Sequence, residues 1–258
     1  MMERKTTAEK RTEATRTLLA LLLCGAAIVM SCVSLLLQPK EAQTPTEPPA
    51  TLAETTAPTE PVTEPPTEAG PAKDDPLLLL VNASHPLPED YDPELTRLRD
   101  WDLSVAAVCY DDLRTMIGAG LSEGLSFQIA SAYRTYEEQQ KLFDADVKAR
   151  MDEGMTEEEA KKETARYTSE PGYSEHETGY ALDIVSMSNQ RLDDTQEETA
   201  ETRWLHAHAW EYGFILRYPK DKEDITGIAY ESWHYRYVGK EAAAYLTERN
   251  LTLEEYLQ

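Results

Sequence analysis

The chain has 258 residues and a formal net charge of -23, room for one ordinary domain and for segments outside it. Acidity on this scale argues against a nucleic-acid partner, because phosphate binding needs clustered Lys and Arg that release counterions. Charge otherwise serves solubility, and composition alone does not identify a function.

Arg4, Lys5, Lys10, Arg11 and Arg16 mark residues 1–16 as a basic N-terminus, and the run Thr17 to Leu37 that follows carries no charge. About 20 apolar residues span a bilayer. Basic residues before the run and acidic, proline-rich sequence after it place the N-terminus in the cytoplasm and the remainder outside. The expectation is a single-pass membrane protein with an extracytoplasmic domain. A cleaved signal is the rival reading, with a shorter apolar core. "VMSC", ending at Cys32, also resembles a lipoprotein processing site, although "VSLLL" behind it favours an uncleaved anchor.

Residues 38–75 are Pro, Thr, Glu and Ala with almost nothing to bury, and read as an extended disordered spacer. Cys24 and Cys32 lie in the apolar run, so Cys109 is alone in the remainder and no internal disulfide is available there.

The folded domain is expected over 76–258. "LLLLVNAS" reads as a strand stopped by the prolines of "HPLP". Val108, Leu113, Met116 and Ile117 recur at helical spacing and run out at glycines. "LSFQIASAYR" alternates like a strand, and the charged stretch after it reads as helix, broken at Gly154 and restarted by a capping box of Thr156 and Glu159. "GYALDIVSM" and "ESWHYRYVG" are further strands, separated by a helix ending at Gly213, and "KEAAAYLTERNLTLEEYL" closes the chain as helix. Strands and helices without regular alternation indicate α+β, a mainly antiparallel sheet flanked by helices in a single domain.

The five histidines are His85, His176, His206, His208 and His234. In "GYALDIVSM" the two-residue period puts Tyr180, Leu182 and Ile184 on one face and Ala181, Asp183 and Val185 on the other. A carboxylate among such neighbours is costly to bury unless paired, hydrogen-bonded or bound to metal. His176 comes from the turn just before, and Gly179 lets that turn fold close. Alone, the pair reads as a structural His–Asp hydrogen bond. In "ESWHYRYVG", however, Trp233, Tyr235 and Tyr237 fill one face as core or pocket wall, while His234 and Arg236 share the other. His234 is then available as a third ligand, with Glu231 in the preceding turn aimed at the same site. Two histidines and one carboxylate leave tetrahedral Zn²⁺ an open position, the catalytic pattern, and a glutamate that is not a ligand supplies a general base. The same set suits non-haem Fe(II), which gives Glu231 no role. His206 and His208 point in different directions from one helix, and His85 is read as structural.

With these residues in place, the chain resembles the zinc D-alanyl-D-alanine carboxypeptidases of the VanY and LdcB type, over roughly Leu77 to Leu246. The resemblance is carried by "LVNASHPLPEDY", "IASAYRTYEEQQKLF", "PGYSEHETGYALDI", "YGFILRYP" and "ESWHYRYVG". It implies a hedgehog/DD-peptidase-like fold, Zn²⁺ on His176, Asp183 and His234, and Glu231 as catalytic base. It also implies that Arg134 stabilises the scissile carbonyl or holds the terminal carboxylate, and that Gln139 and Ser174 line the substrate pocket. Ala132 stands where relatives often have glycine. The implied function is removal of the C-terminal D-alanine from peptidoglycan stem peptides by Glu-assisted attack of water, in a monomer tethered to the membrane. Whether the substrate is cut as a D,D or an L,D bond is left open. The rival from another class is a catalytically silent cell-wall-binding module with a structural metal, which would fill all four metal positions from the protein.

Overall fold

A computed structural model describes residues 70–258. The basic N-terminus, the run Thr17 to Leu37 and most of the spacer lie outside the described residues. Among the described residues no helix is long and apolar enough to cross a membrane. The packed chain starts within the stretch read as spacer. Pro71 is buried and its carbonyl accepts from the Tyr256 hydroxyl, while Lys73 Nζ donates to the Gln258 carbonyl at 2.8 Å.

The leucine run is not a strand. Pro76–Leu78 is a 3-10 turn capped by Asp75, and the carbonyls of Leu77 and Leu79 accept from the Arg236 guanidinium at 3.0 and 2.9 Å. Leu78 and Val81 are buried, so the run is apolar because it is covered, and its backbone is satisfied by a side chain instead of a ladder.

Next comes a hairpin that the sequence reading does not contain, β1 (Leu95–Leu98) and β2 (Leu103–Ala106), paired antiparallel from Leu95 opposite Ala106 to Leu98 opposite Leu103. Helix α1 (Tyr110–Ser122) buries Leu113, Met116, Ile117 and Gly120, one stripe at helical spacing. Val108, expected on that stripe, sits in the 3-10 turn before the helix and is exposed. Strand β3 (Phe127–Ser131) follows, then α2 (Tyr136–Asp152) and α3 (Glu157–Thr164). Thr135 with Glu138 and Thr156 with Glu159 form capping boxes at the starts of α2 and α3, the second as the sequence predicts.

The remaining elements are β4 (Ala181–Ser186), α4 (Ala200–His208), β5 (Phe214–Leu216), the single turn α5 (Glu223–Thr226), β6 (His234–Tyr237), α6 (Lys240–Arg249) and α7 (Leu253–Leu257). The main sheet has the order β3-β4-β6-β5 with every pair antiparallel. The α+β expectation is borne out. Strand β5, also unforeseen, is three residues long behind Gly213, whose φ of 88° ends the preceding turn.

One face of the sheet contributes Ile129, Leu182, Ile184 and Tyr235 to the main core, against Leu113 and Met116 of α1 and Leu205 of α4. A second apolar cluster gathers Leu78, Ile215, Val238, Leu246 and Leu253 near the C-terminal helices. Strand β4 is buried along its whole length. Its face opposite the main core therefore lies under protein as well, and that is the face carrying Asp183.

Candidate active site

Asp183 of β4 stands opposite His234 of β6 in the ladder, and opposite residues of an antiparallel pair share a face. Leu182, Ile184, Tyr235 and Tyr237 take the main core, so alternation sends Asp183 and His234 the other way together. Their facing atoms, Asp183 Oδ1 and His234 Nδ1, are 3.2 Å apart.

His176 arrives from the 3-10 turn Glu175–Thr178 and is tied to the exit of β3 by two bonds. Its Nδ1 donates to the Ala132 carbonyl at 2.7 Å, and its own carbonyl accepts from the Arg134 amide at 3.2 Å. A carbonyl only accepts, so Nδ1 carries the proton and Nε2, 3.4 Å from Asp183 Oδ2, keeps its lone pair. The turn ends at Gly179 with φ 76°, where an added Cβ would meet the Ala106 amide nitrogen at 2.9 Å. Gly179→Ala is expected to cost about 1–3 kcal/mol, since strained backbone is disfavoured by that amount, and to displace His176. Thermal unfolding and zinc titration of the variant check this.

Glu231 occupies the turn before β6, as the sequence indicates. Its carbonyl accepts from the His234 amide, and its Oε2 lies 3.5 Å from His234 Nδ1. One donor atom each from His176, Asp183 and His234 lie within 4.8 Å of one another. These are two imidazoles and a carboxylate, a set that suits Zn²⁺. Asp183 Oδ1 is buried with no hydrogen-bond partner, which costs free energy unless something else pairs with it.

The electrostatics agree. Burial alone would pull the His234 imidazole down, yet the neighbouring carboxylates of Asp183, Glu175 and Glu231 push it above its ordinary value. A pocket that favours a proton there favours a metal cation for the same reason. Burial lowers His176 to about 4, with Arg134 adding to the effect, so the ring is neutral at pH 7 and able to donate its lone pair. Burial raises the Glu231 carboxyl, His234 opposes and Asp183 reinforces, and the group ends above the usual carboxylate range. A carboxylate that holds a proton more readily than usual suits general acid–base work.

Arg134 is half-buried at the end of β3. Burial lowers its guanidinium against the pull of Asp183, Glu231 and Glu177, and its Nε is buried without a partner. Gln139 is wholly buried in α2 with Nε2 donating to the Ser169 carbonyl at 2.6 Å, while Ser174 caps the turn that carries His176. The other histidines are elsewhere: His206 on the Ser232 carbonyl, His208 on Glu211 and His85 on Asn82.

Five residues around the site carry no role in the sequence reading. Glu175 Oε1 accepts from Arg217 Nε at 2.8 Å and from Arg236 Nη1 at 2.7 Å, and all three side chains are fully buried. Arg217 also grips both oxygens of Glu254, at 2.9 and 2.6 Å. The Tyr218 ring lies 4.7 Å from that of His234, centroid to centroid. Arg236 was visible as a neighbour on the His234 face and Glu175 as the residue before His176. Nothing in their spacing ties them to each other across 61 residues.

Burial would raise Glu175 and Glu254, but Arg217, with Arg236 at Glu175, holds both below the ordinary carboxylate value. A depressed folded pKa gives stability that is fully present above the unfolded value, about 4.3 for Glu, and is lost as pH falls through the folded value. The melting temperature is expected to fall steadily below about pH 4, where unfolded glutamates protonate first. Melts from pH 7 to pH 3 read this out, and a flat profile would contradict it.

The family described as VanY, D-alanyl-D-alanine carboxypeptidase, matches residues 102–240, more than half of the chain. The chain belongs to this family. The VanY-family chain is 40% identical over 181 residues to a D-alanyl-D-alanine carboxypeptidase of Enterococcus faecalis, a match covering 70% of this chain and 65% of the relative, so it spans about two thirds of that protein's length. Among solved structures it is similar to VanYB in complex with D-alanine-D-alanine, at 39% identity and TM-score 0.65 over 70% of this chain and 96% of that one. A variant of the vancomycin resistance D,D-pentapeptidase VanY of the VanB type, in complex with Zn(II), matches at 39% identity and TM-score 0.65, covering 70% of this chain and 98% of that one. The LdcB LD-carboxypeptidase follows at 38% identity and TM-score 0.61, over 70% and 85% of the two chains. The expectations of a metallo-carboxypeptidase and of Zn²⁺ as its cofactor are thereby borne out.

Proposed function

We propose that this chain removes the terminal D-alanine from peptidoglycan stem peptides ending in D-Ala-D-Ala. His176, Asp183 and His234 hold the zinc, and Glu231 is the base. The observation that carries this is the buried trio, with Glu231 beside it at 3.5 Å and outside it. The metal supplies Lewis acidity, lowering the pKa of water and polarising the scissile carbonyl. Glu231 takes the proton from the attacking water and returns it to the departing D-alanine amine. Arg134, with its Nε buried and unpaired, offers a charge-assisted contact to the substrate's terminal carboxylate or to the developing oxyanion. Gln139 and Ser174 act on that same side, Gln139 through its unpartnered Oε1 and Ser174 from the head of the His176 turn.

A wall-binding module with a structural metal is disfavoured because the described residues bring three donors together where a closed site uses four. The run Thr17 to Leu37 supports a membrane tether with the domain outside the cytoplasm, where the substrate is. Protease protection of the N-terminal segment in intact cells, with the domain cleaved away, tests that placement.

The substrate is tested by incubating the purified chain with muropeptide pentapeptide and tetrapeptide, with and without chelator, and weighing the products. Loss of one alanine from the pentapeptide alone, abolished by chelator, is the expected result. Release from the tetrapeptide alone would reassign the enzyme to L,D cleavage, and release from neither would reject the reading.

A further inference from the structure

We infer that Glu175 is a positioning residue of the metal centre. Arg217 and Arg236 grip its Oε1, and its Oε2 is the acceptor that fixes the imidazole of His234. The inference rests on the proposed role of His234 as a zinc ligand and adds which ring nitrogen ligates and what aims it.

Glu175 Oε2 and His234 Nε2 are both buried, neither has a hydrogen-bond partner among the described residues, and they face each other at 3.7 Å. Meanwhile Oε1 takes both guanidiniums, at 2.8 and 2.7 Å. A carboxylate present only to neutralise the arginines would spread them over its two oxygens. Here one oxygen does that work and the other is kept clear for the histidine. The grip is itself anchored. Arg217 continues to both oxygens of Glu254, and Arg236 to the carbonyls of Leu77 and Leu79. Glu175 therefore has no freedom to turn away.

Two partially unsatisfied groups meeting in a dry site pair with each other, because each left alone carries its full desolvation cost. With Nε2–H directed at Glu175, the His234 lone pair is on Nδ1, which faces Asp183 Oδ1 at 3.2 Å. A carboxylate behind a metal-ligating histidine fixes its tautomer and orientation and raises its basicity. His176 is held in the opposite sense, its Nδ1–H on the Ala132 carbonyl and its Nε2 toward the site. The two histidines thus use different nitrogens. One is aimed by a backbone carbonyl and the other by a carboxylate that reaches it from the residue preceding His176.

The direct test is read on the unaltered chain, with one substitution used only to assign the signal. The ¹⁵N shifts of the histidine rings are recorded in the full chain with and without zinc, with His234 assigned by its disappearance in His234→Gln. The expected pattern is His234 with Nδ1 shifted by metal and Nε2 carrying a proton. Ligation through Nε2 would overturn the inference and leave the proposed function standing. No response of His234 to zinc would overturn both.

A second arm uses Glu175→Gln, which places an amide NH₂ where Nε2–H needs an acceptor. Its zinc dissociation constant, measured against a competing chelator, is expected to rise about 10–100-fold, with the His234 ring shifts of the zinc-loaded variant displaced from those of the unaltered chain. An unchanged constant with unchanged ring shifts would overturn the inference. If the variant does not fold, the ring shifts of the unaltered chain decide alone.

Discussion

Glu231→Ala is expected to bind one zinc ion per chain as the unaltered protein does, and to release D-alanine about 10²–10⁴-fold more slowly, the usual contribution of a positioned acid–base group. The two halves of the result come from different features. The trio of His176, Asp183 and His234 provides the donors, and one atom from each lies within 4.8 Å of the others without Glu231. Glu231 reaches the same space from the turn ahead of β6, with Oε2 3.5 Å from His234 Nδ1, close enough to serve a water in the site. Burial holds its carboxyl above the usual range, so the proton it receives from water is kept long enough to be passed on to the amine. Zinc content by elemental analysis and single-turnover release on pentapeptide check both halves. Turnover within a few-fold of normal would remove Glu231 from the chemistry, and loss of zinc would make it a ligand.

Arg217→Met is expected to lower stability by about 3–5 kcal/mol, the cost of leaving buried charges without their partner. For a domain of this size that is a fall in melting temperature of roughly 6–20 °C. Arg217 is fully buried and ties Glu175, next to His176, to Glu254 of the C-terminal helix. Its removal strands two carboxylates in the interior. Arg236 still faces Glu175, so Glu254 is the more damaged of the two. Differential scanning calorimetry of the metal-free chain isolates this from any loss of zinc. A change below about 1 kcal/mol, the scale of an exposed pair, would show that water reaches the cluster.

The chemistry of this chain was more legible in its sequence than the framework around it. Asp183 on a strand of apolar residues and His234 alternating with tyrosines follow from the two-residue period, and the ladder sets them side by side as that period requires. Glu231, an odd number of residues before His234, breaks the period and belongs to the turn ahead of the strand. The capping box at Thr156 likewise depends on four adjacent residues and appears where it was expected.

The misread elements are those decided by distant partners. The leucine run after Pro76 carries the composition of a strand but meets Arg236 instead of a neighbouring ladder. Val108 fits the spacing of α1, yet the helix starts after it. The β1–β2 hairpin turns through Asp102 at φ 57°, a conformation Asp tolerates and composition does not announce. The Arg217–Glu175–Arg236 cluster joins three separate segments, and only the folded chain brings them together.

The most direct test of zinc-dependent hydrolysis by this site is to strip the purified chain of metal and follow D-alanine release from pentapeptide as zinc is added back. The account predicts no release at the start, a linear rise to a plateau at one equivalent of zinc per chain, and no recovery in Asp183→Ala. Release that persists in the stripped chain, or a zinc-loaded chain that never releases D-alanine, would contradict it.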